Sequence, residues 1–432
     1  MSTCGDGAGA DGNNPPNNIP VTFNSVTGNG SPTGSLTLTF SAAITGLSAG
    51  DISLSGVSGV TKGMLTGSGP VYNLGISSAG SGNLSVAVSK TGYSISGSPR
   101  TVVITGSGGD SVSRGRIVYS YDGLNWTNVE SNSFTGVIHK VVYGKGMFVA
   151  IGGDTASYGN APKILISYDG ISWTVTEESI FGKEGVQDIA YGNNRFVAVG
   201  GNTVMSGGRG RIAYSADGIT WKEIEEENTT FGASRNIYDV AWGGDRFIAV
   251  GDSDSSWNKS AISTDGMTWT KGSKFPGSNG TIENIAWGND IWVTESGWID
   301  FSYSTDSGAT WKSVIAGMPT SAILDIGWGK DKFIAVGQNG MMMYSVDGTA
   351  WTKVTNSIIT GMYLLRNVIW GSDKFIATGG DFGSGGLTNN RMVTSADGQN
   401  WSTVTNSGLS SEFVIYDIAW GNGIWVAVGY GK

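Results

Sequence analysis

Few side chains in this sequence of 432 residues are suited to nucleophilic, acid–base or metal chemistry. The chain holds one histidine, His139, and one cysteine, Cys4. A catalytic triad that uses histidine therefore has one candidate base with no cysteine near it, and a metal site built on several histidines is excluded. The single cysteine also excludes an intramolecular disulfide. Carboxylates, basic groups and aromatic rings remain as the side chains that could form a site.

One series of polar residues recurs four positions before the Gly of a repeated Tyr/Trp-Gly pair. Its members are Lys140, Asp188, Asp239, Asn284, Asp325, Asn367 and Asp417. We expect them near the start of the innermost strands of a repeated unit. The carboxylates of Asp188, Asp239, Asp325 and Asp417 could hold Ca²⁺, since oxygen ligands suit that ion. The interpretation we prefer is that they cap adjacent backbone amides and pair with neighbouring bases, so that no metal or other cofactor is required.

A second, mainly basic series precedes each copy of a Ser-x-Asp motif by four residues. Its members are Arg116, Lys163, Arg211, Lys259, Asp300, Met341 and Arg391. These groups are candidates to pair with the acidic series. Alternatively, Arg116, Arg211 and Arg391 could receive an acidic ligand. Because the three arginines occupy equivalent positions of a repeat, they indicate repeat architecture rather than a single catalytic cluster.

Composition narrows the class of protein. The 26 basic and 35 acidic residues give a net charge of −9, which argues against nucleic acid as the main partner. Hydrophobic residues make up 39% of the chain and Gly occurs 70 times, a combination typical of a folded, turn-rich β protein rather than a disordered one. No run approaches 18 apolar residues, so no transmembrane segment is predicted.

Two motifs alternate along most of the chain. S-x-D-G-x-x-W occurs six times and a longer form, STDSGATW, once, with tryptophans at 126, 173, 221, 269, 311, 351 and 401. The second motif, such as WGGDRFIAVG at 242–251, also occurs seven times. Each motif predicts a hairpin, and in the second we expect the Gly and the following Asn or Asp to supply positive φ. Two hairpins in each repeat predict seven four-stranded units arranged as a propeller.

The order of the motifs also predicts how the ring closes. The repeats begin on one kind of hairpin and end on the other. The last unit is therefore expected to be split, with about 413–430 pairing with about 112–130. Such closure removes exposed sheet edges.

The repeated motif resembles a known family. STDSGATW is similar to the Asp-box of sialidase-type (BNR) repeats, and the other six copies look like a form one residue shorter. The resemblance covers about 112–432. It implies an all-β fold in which a seven-bladed β-propeller carries the Asp-boxes on outer hairpins, where they are structural. It is specific for the fold and says little about activity.

The remainder of the chain divides into three parts. Residues 1–19 are a flexible tether by composition, and Cys4 within it is either the lipid acceptor of a bacterial lipoprotein or a free thiol. Short alternating runs over 20–106 predict a β-sandwich that resembles the Ig-like modules of bacterial surface proteins, where such modules act as spacers. Residues 107–111 form the linker.

The variable loops of the repeats fall on one face of the predicted propeller. Loops that vary on a rigid scaffold are where binding usually resides. That face carries eight aromatic rings, Tyr158, Phe181, Phe231, Trp257, Phe275, Trp298, Tyr363 and Phe382. They could stack on sugars or anchor a protein partner, or they could simply fix the loops.

These patterns predict a non-catalytic, monomeric binding protein at a bacterial cell surface or outside the cell, with a glycan or a protein as partner. One alternative is a glycoside hydrolase with a divergent site, although the Arg-Ile-Pro signature implied by a sialidase is absent and sialidase propellers have six blades. Xyloglucanase-like enzymes place their carboxylates between two propellers, and this chain predicts one. The other alternative is a structural element of a surface or phage assembly.

Overall fold

The computed structural model describes residues 18–29, 33–57, 59–78, 80–104, 114–129, 136–153, 163–176, 180–181, 185–201, 210–225, 231, 236–252, 260–276, 281–296, 300–314, 321–355, 363–383, 386–404 and 413–431. The chain divides into two compact units, Met1–Ser111 and Val112–Lys432. Both are built from strands, and the helical segments in these ranges include the 3-10 turns Ala49–Asp51 and Gln338–Gly340. No helix in the described ranges is both long and apolar enough to cross a bilayer.

The first unit is a two-sheet β-sandwich. One sheet has the strand order Thr61–Thr66, Val71–Ser77, Ser35–Phe40, Ile19–Asn29, Tyr93–Ser96, and the other has the order Ile52–Ser55, Gly82–Val88, Arg100–Ile104. Side chains alternate between buried and exposed along these strands, as in Val71–Ser77, because successive residues point to opposite faces. The buried faces form one core that includes Phe23, Leu36 and Ile104.

The second unit contains seven four-stranded sheets among its described residues. From the first strand outward they are sheet 1 (Val137–Gly144, Met147–Gly153, Lys163–Ser167, Thr174–Val175), sheet 2 (Gly185–Gly192, Arg195–Gly201, Arg211–Ser215, Lys222–Glu223), sheet 3 (Ile237–Gly243, Arg246–Gly251, Ser260–Ser263, Thr270–Lys271), sheet 4 (Ile285–Gly288, Ile291–Ser296, Asp300–Ser304, Lys312–Val314), sheet 5 (Ile323–Gly329, Lys332–Gly337, Met342–Ser345, Thr352–Lys353), sheet 6 (Tyr363–Gly371, Lys374–Gly383, Gly386–Ser395, Ser402–Thr403) and sheet 7 (Val414–Gly421, Ile424–Gly431, Arg114–Ser120, Thr127–Asn128).

The sheets of the second unit form a closed series. The first strand of each sheet contacts the first strand of the next, and that of sheet 7 contacts that of sheet 1. Sheet 7 is assembled from both ends of the unit, because Ile424–Gly431 pairs antiparallel with Arg114–Ser120. Trp425 lies opposite Ser120 and Val428 opposite Ile117. The split unit predicted from the order of the motifs is therefore present.

The hydrophobic core of the second unit lies between the sheets. Each of its seven clusters joins residues of two neighbouring sheets, for example Val199 of sheet 2 with Phe247 of sheet 3. The second strands, such as Arg195–Gly201, are buried along almost their whole length. They must be apolar on both faces because a sheet packs on either side of them.

The Tyr/Trp-Gly pair has a role that differs from the one predicted. Positive φ is carried by the two residues after the Gly, such as Asn193 and Asn194, and not by the Gly itself. A side chain on the Gly would instead overlap the aromatic ring of the next sheet. The pairs in contact are Gly144–Tyr191, Gly192–Trp242, Gly243–Trp287, Gly288–Trp328, Gly329–Trp370, Gly371–Trp420 and Gly421–Tyr143. Glycine is therefore required for close packing around the ring, and the primed turn is made by the following residues.

A β-bulge interrupts the first strand in six of the sheets. The bulged residues are His139, Gln187, Tyr238, Leu324, Arg366 and Tyr416. A bulge sets two successive residues opposite one residue of the neighbouring strand. It also brings a carbonyl against the second strand, where a side chain on Gly200 would overlap the oxygen of Gly185. In sheet 4 the residue aligned with the Gly that ends each second strand is Ser296, and no bulge is found in the described pairing of that sheet.

Candidate functional site

The polar series at the start of the first strands joins neighbouring sheets. We call this set, Lys140, Asp188, Asp239, Asn284, Asp325, Asn367 and Asp417, the channel ring. Four of its carboxylates accept a hydrogen bond from a backbone amide of the next sheet. The donors and distances are Val141 to Asp417 at 2.8 Å, Val240 to Asp188 at 3.1 Å, Ile285 to Asp239 at 2.7 Å and Val368 to Asp325 at 2.7 Å.

Lys140 balances part of the acidic charge of the channel ring. Its Nζ lies 3.0 Å from Oδ1 of Asp188, and 31% of its side chain is accessible. Burial lowers its pKa, but the charges of Asp188 and the other three carboxylates outweigh burial and hold the pKa above its ordinary value. The ammonium therefore stays charged at neutral pH.

Three of the ring carboxylates, Asp239, Asp325 and Asp417, have raised pKa values. Burial raises the pKa of Asp417 to about 7 and that of Asp325 to about 6, against the opposing effects of Lys140 and the amide donors. Burial and the neighbouring Asp188 carboxylate also raise the pKa of Asp239. Within the described ranges, no group of three or more His, Cys, Asp or Glu is placed to hold a metal ion. The ring carboxylates are committed to amides and to Lys140.

The Ser-x-Asp motifs form closed hydrogen-bonded turns on the outer hairpins. In the copy at 263–269, Oδ1 of Asp265 accepts the amides of Met267 and Thr268, and the Ser263 hydroxyl donates to the same oxygen. Trp269 Nε1 donates to the carbonyl of Gly266. The pKa of the equivalent aspartate, Asp169, is lowered to about 2. Burial is the largest single effect and raises this pKa, but the amide hydrogen bonds from Ser172 and Ile171 together outweigh it. These aspartates stabilise the turns.

A different set of side chains gathers where the first strands of sheets 6, 7 and 1 begin. We call the residues Arg366, Tyr416, His139 and Tyr430 the mouth cluster. The guanidinium carbon of Arg366 lies 5.7 Å from the centre of the Tyr416 ring. That ring lies 5.3 Å from His139 and 5.6 Å from Tyr430, on which it stacks. His139, Arg366 and Tyr416 are the bulged residues of sheets 1, 6 and 7, which are successive around the ring. All four residues of the cluster are half-buried.

The environment of the mouth cluster sets its protonation. Burial, followed by the charge of Lys140, lowers the pKa of His139, so this imidazole is neutral at pH 7. Burial raises the pKa of the Tyr416 hydroxyl, with Arg366 acting weakly in the opposite direction. The cluster therefore places the Arg366 guanidinium against the Tyr416 ring, which in turn contacts the neutral imidazole of His139.

The aromatic residues predicted on the variable-loop face have different outcomes. Tyr158, Trp257 and Trp298 lie outside the described residues, as does Cys4. Tyr363 and Phe382 lie in strands of sheet 6, and at these two positions the structure describes the backbone only. Phe181, Phe231 and Phe275 are buried, and Phe275 stacks on Trp311 with 4.4 Å between ring centroids. These three rings fix the loops and do not present a binding surface.

The basic series occupies equivalent register positions. Arg116 lies opposite Gly429 in sheet 7, Arg391 opposite Gly379 in sheet 6 and Arg211 opposite Gly200 in sheet 2. Arg211 forms an ion pair with Glu223 of the outermost strand of its own sheet, whereas the partner of the acidic series is Lys140. Sequence reasoning missed the mouth cluster. The signal that could have revealed it is the Gly that ends each second strand, because that Gly marks the bulge.

The closed series of four-stranded sheets, tied together at the channel ring, defines a β-propeller. Its fold is similar to that of YCF48 bound to D1 peptide, with a TM-score of 0.50 and 13% identity over 69% of this chain and 92% of that chain. It is also similar to YCF48 from Cyanidioschyzon merolae, with a TM-score of 0.51 and 14% identity over 71% and 98% of the two chains. No protein-family model matches the sequence, and no curated protein matches it.

Proposed function

We propose that this chain is a non-catalytic binding protein, a seven-bladed Asp-box propeller that recognises a segment of another protein at its variable-loop face. The observation that carries the proposal is the mouth cluster. Side chains from three successive sheets meet there, and its arginine and tyrosines belong to the residue types that dominate protein recognition sites.

The carboxylates support the non-catalytic part of the proposal. A glycosidase needs one carboxylic acid to donate a proton and a second carboxylate to attack or to activate water. The four aspartates of the channel ring accept backbone amides of the next sheet, and the aspartates of the outer hairpins accept amides of their own turns. Both sets are engaged in holding the fold.

A protein ligand is preferred to a glycan because one of the similar propellers is described as bound to a peptide. Glycan binding is therefore the second outcome of the test below.

We also propose a cell-surface or extracellular location, with the β-sandwich acting as an Ig-like spacer. The sandwich is a compact unit with its own core, as a spacer requires. A lipid on Cys4 would complete this arrangement, and mass spectrometry of the protein isolated from its native membrane fraction would detect it.

The test is to screen the full chain on a glycan array and on a random-peptide display library, beside a Tyr416→Ala variant. Tyr121→Ala is the matched control, because Tyr121 is 65% exposed on an outer hairpin. We expect peptides to bind, Tyr416→Ala to weaken binding and Tyr121→Ala to leave it unchanged. Binding to glycans alone would replace the peptide with a sugar, and turnover of fluorogenic glycosides would contradict the non-catalytic proposal.

A further inference from the structure

Two buried hydroxyl groups interrupt the apolar pattern of sheet 4. Thr294 and Ser302 lie directly opposite each other on its second and third strands, and both side chains are fully buried. In each of the other six sheets the corresponding pair joins an alanine to an apolar residue, as in Ala249 with Ala261 of sheet 3. The polar pair is therefore a departure of this sheet alone from the repeat.

Both hydroxyl-bearing side chains face sheet 3. Trp292 precedes Thr294 by two residues in the same strand, and it belongs to one core cluster with Val250 of sheet 3. Because side chains alternate along a strand, Thr294 lies on the same face as Trp292. Residues directly opposite in an antiparallel pair share a face, so Ser302 lies there as well.

Sheet 3 contributes a third buried hydroxyl group to the same interface. Ser260 lies directly opposite Val250 and is fully buried, so its side chain faces sheet 4. The equivalent residue in each of the other six sheets is Ile, Met or Phe, as Ile212 is in sheet 2. Polar replacements from two neighbouring sheets thus meet in one interface.

The hydroxyls of sheet 4 need a hydrogen-bond partner. Within the described residues, no partner is found for Oγ1 of Thr294 or for Oγ of Ser302. Trp311 of the same core cluster also has a buried N–H without an acceptor there, whereas the tryptophan of each other Asp-box copy donates to a glycine carbonyl. A buried polar group without a partner is costly, and an ordered water is a common partner.

The side chains at this interface are also small. Between sheets 2 and 3, four positions of one core cluster hold Ile212, Ile224, Ala249 and Ala261. Between sheets 3 and 4, the corresponding residues are Ser260, Gly272, Thr294 and Ser302. The changes from Ile to Ser and from Ile to Gly remove more side-chain volume than the other two changes add. The net reduction exceeds the volume of one water molecule, which is about 30 Å³.

We infer that an ordered water molecule is bound between sheets 3 and 4 by the hydroxyl groups of Ser260, Thr294 and Ser302. This site is separate from the variable-loop face and does not depend on the proposed function. A water molecule both donates and accepts, as each hydroxyl does, and about three hydrogen bonds are typical of a buried water. The water joins two neighbouring sheets within the core, as the hydrogen bond from Ile285 to Asp239 joins them at the channel ring.

The first experiment is a crystal structure of the full chain at a resolution that shows ordered water. It is accompanied by the structure of a quadruple variant that copies the interface between sheets 2 and 3, with Ser260→Ile, Gly272→Ile, Thr294→Ala and Ser302→Ala. The second experiment measures the urea midpoint of Thr294→Val, which exchanges the hydroxyl for a methyl group of similar size. Thr352→Val, on the exposed outermost strand of sheet 5, is the matched control.

We expect density for a water at about 2.5–3.0 Å from Oγ1 of Thr294 and Oγ of Ser302 in the wild type, and no such density in the quadruple variant. Thr294→Val should lower the urea midpoint, because the water loses a partner, and Thr352→Val should leave it unchanged. If the hydroxyl is without a partner in solution, its removal would instead raise the midpoint, which would overturn the inference. Wild-type crystals without this density, or density that persists in the quadruple variant, would overturn it too. The wild-type density decides the question if the quadruple variant does not fold.

Discussion

The backbone amide of Val141 donates a hydrogen bond to Oδ2 of Asp417 at 2.8 Å, across 276 residues of sequence. Val141 belongs to the first strand of sheet 1 and Asp417 to the first strand of sheet 7, so this contact joins the two sheets at which the ring closes. Asn367 donates a second hydrogen bond to Oδ1 of the same carboxylate at 2.7 Å. Asp417 therefore links sheets 6, 7 and 1, the three sheets that carry the mouth cluster.

Replacement of Asp417 by Ala should destabilise the propeller by about 1–3 kcal/mol, because the buried amide of Val141 loses its acceptor. Asp417→Asn should cost less, since its carbonyl oxygen can still accept that hydrogen bond. Urea unfolding followed by tryptophan fluorescence measures the difference. Asp300→Ala, which alters an exposed carboxylate, is the control and should change stability by less than about 0.5 kcal/mol. Equal stability of Asp417→Ala and the control would contradict a closing role for this carboxylate.

Stability should decline as pH rises from about 4 to about 7. The pKa values of Asp325 and Asp417 are raised to about 6 and about 7 in the folded chain, above the value of about 3.9 in an unfolded chain. Their contribution is therefore fully present below pH 4 and is lost as pH rises through the folded values. Urea midpoints measured from pH 5 to pH 8 test this decline, and Asp417→Asn should reduce it. A flat profile would show that the ring carboxylates are ionised throughout.

The outer hairpins should respond to pH in the opposite direction. The pKa of Asp169 is lowered to about 2, so its contribution is present above pH 4 and is lost as pH falls through 2. Asp122 and Asp397 have lowered pKa values too. Together with the ring carboxylates, these residues predict greatest stability near about pH 4. Thermal unfolding at pH 2.5, 5 and 8 would reveal the maximum, and Asp169→Asn should lessen the loss at pH 2.5.

Gly192→Ala should destabilise the second unit by about 1–3 kcal/mol or more, because the added methyl group overlaps the ring of Trp242. Gly185→Ala in the same sheet is the matched control. A side chain at Gly185 meets neighbours no closer than 3.7 Å, and this Gly has no positive φ. The thermal unfolding midpoint measures both variants. Similar midpoints would indicate that the neighbouring sheets can move apart at no cost.

Asp265→Ala should open its hairpin locally. The amides of Met267 and Thr268 lose their common acceptor, at a cost of about 1–2 kcal/mol. Hydrogen exchange of these two amides should accelerate about tenfold, whereas exchange in the buried strand Arg246–Gly251 should be unchanged. Asp265→Asn keeps one oxygen and should preserve most of the protection. Unchanged exchange in Asp265→Ala would show that Ser263 and Trp269 stabilise the turn without the aspartate.

Much of the propeller could be predicted from the sequence, because its repeats encode local hairpins. The two motifs located the four-stranded sheets, and their order located the split sheet that joins Trp425 to Ser120. What could not be predicted is what lies between sheets. The contact of Gly192 with Trp242 and the approach of Lys140 to Asp188 join different sheets, so no spacing within one repeat reveals them.

For Phe181, Phe231 and Phe275 the sequence left open whether the rings bind a ligand or fix the loops, and their burial favours the second interpretation. An aromatic residue in a polar loop has the same sequence signature whether it binds a ligand or anchors the loop. The mouth cluster depends on bulges in three sheets, and a bulge at His139 or Tyr416 changes the face on which the next side chain lies.

The split sheet has a consequence for biosynthesis. Strand Arg114–Ser120 finds its partner in Ile424–Gly431, which is synthesised some 300 residues later. At the usual elongation rates of about 5–20 residues per second, the ring stays open on the ribosome for roughly 15 to 60 seconds. During that time strand Arg114–Ser120 lacks its partner in sheet 7, and its unpaired edge can pair with a wrong strand. Chaperone protection of a nascent, unclosed ring, or slow release of its last strand, would then determine the yield of folded protein.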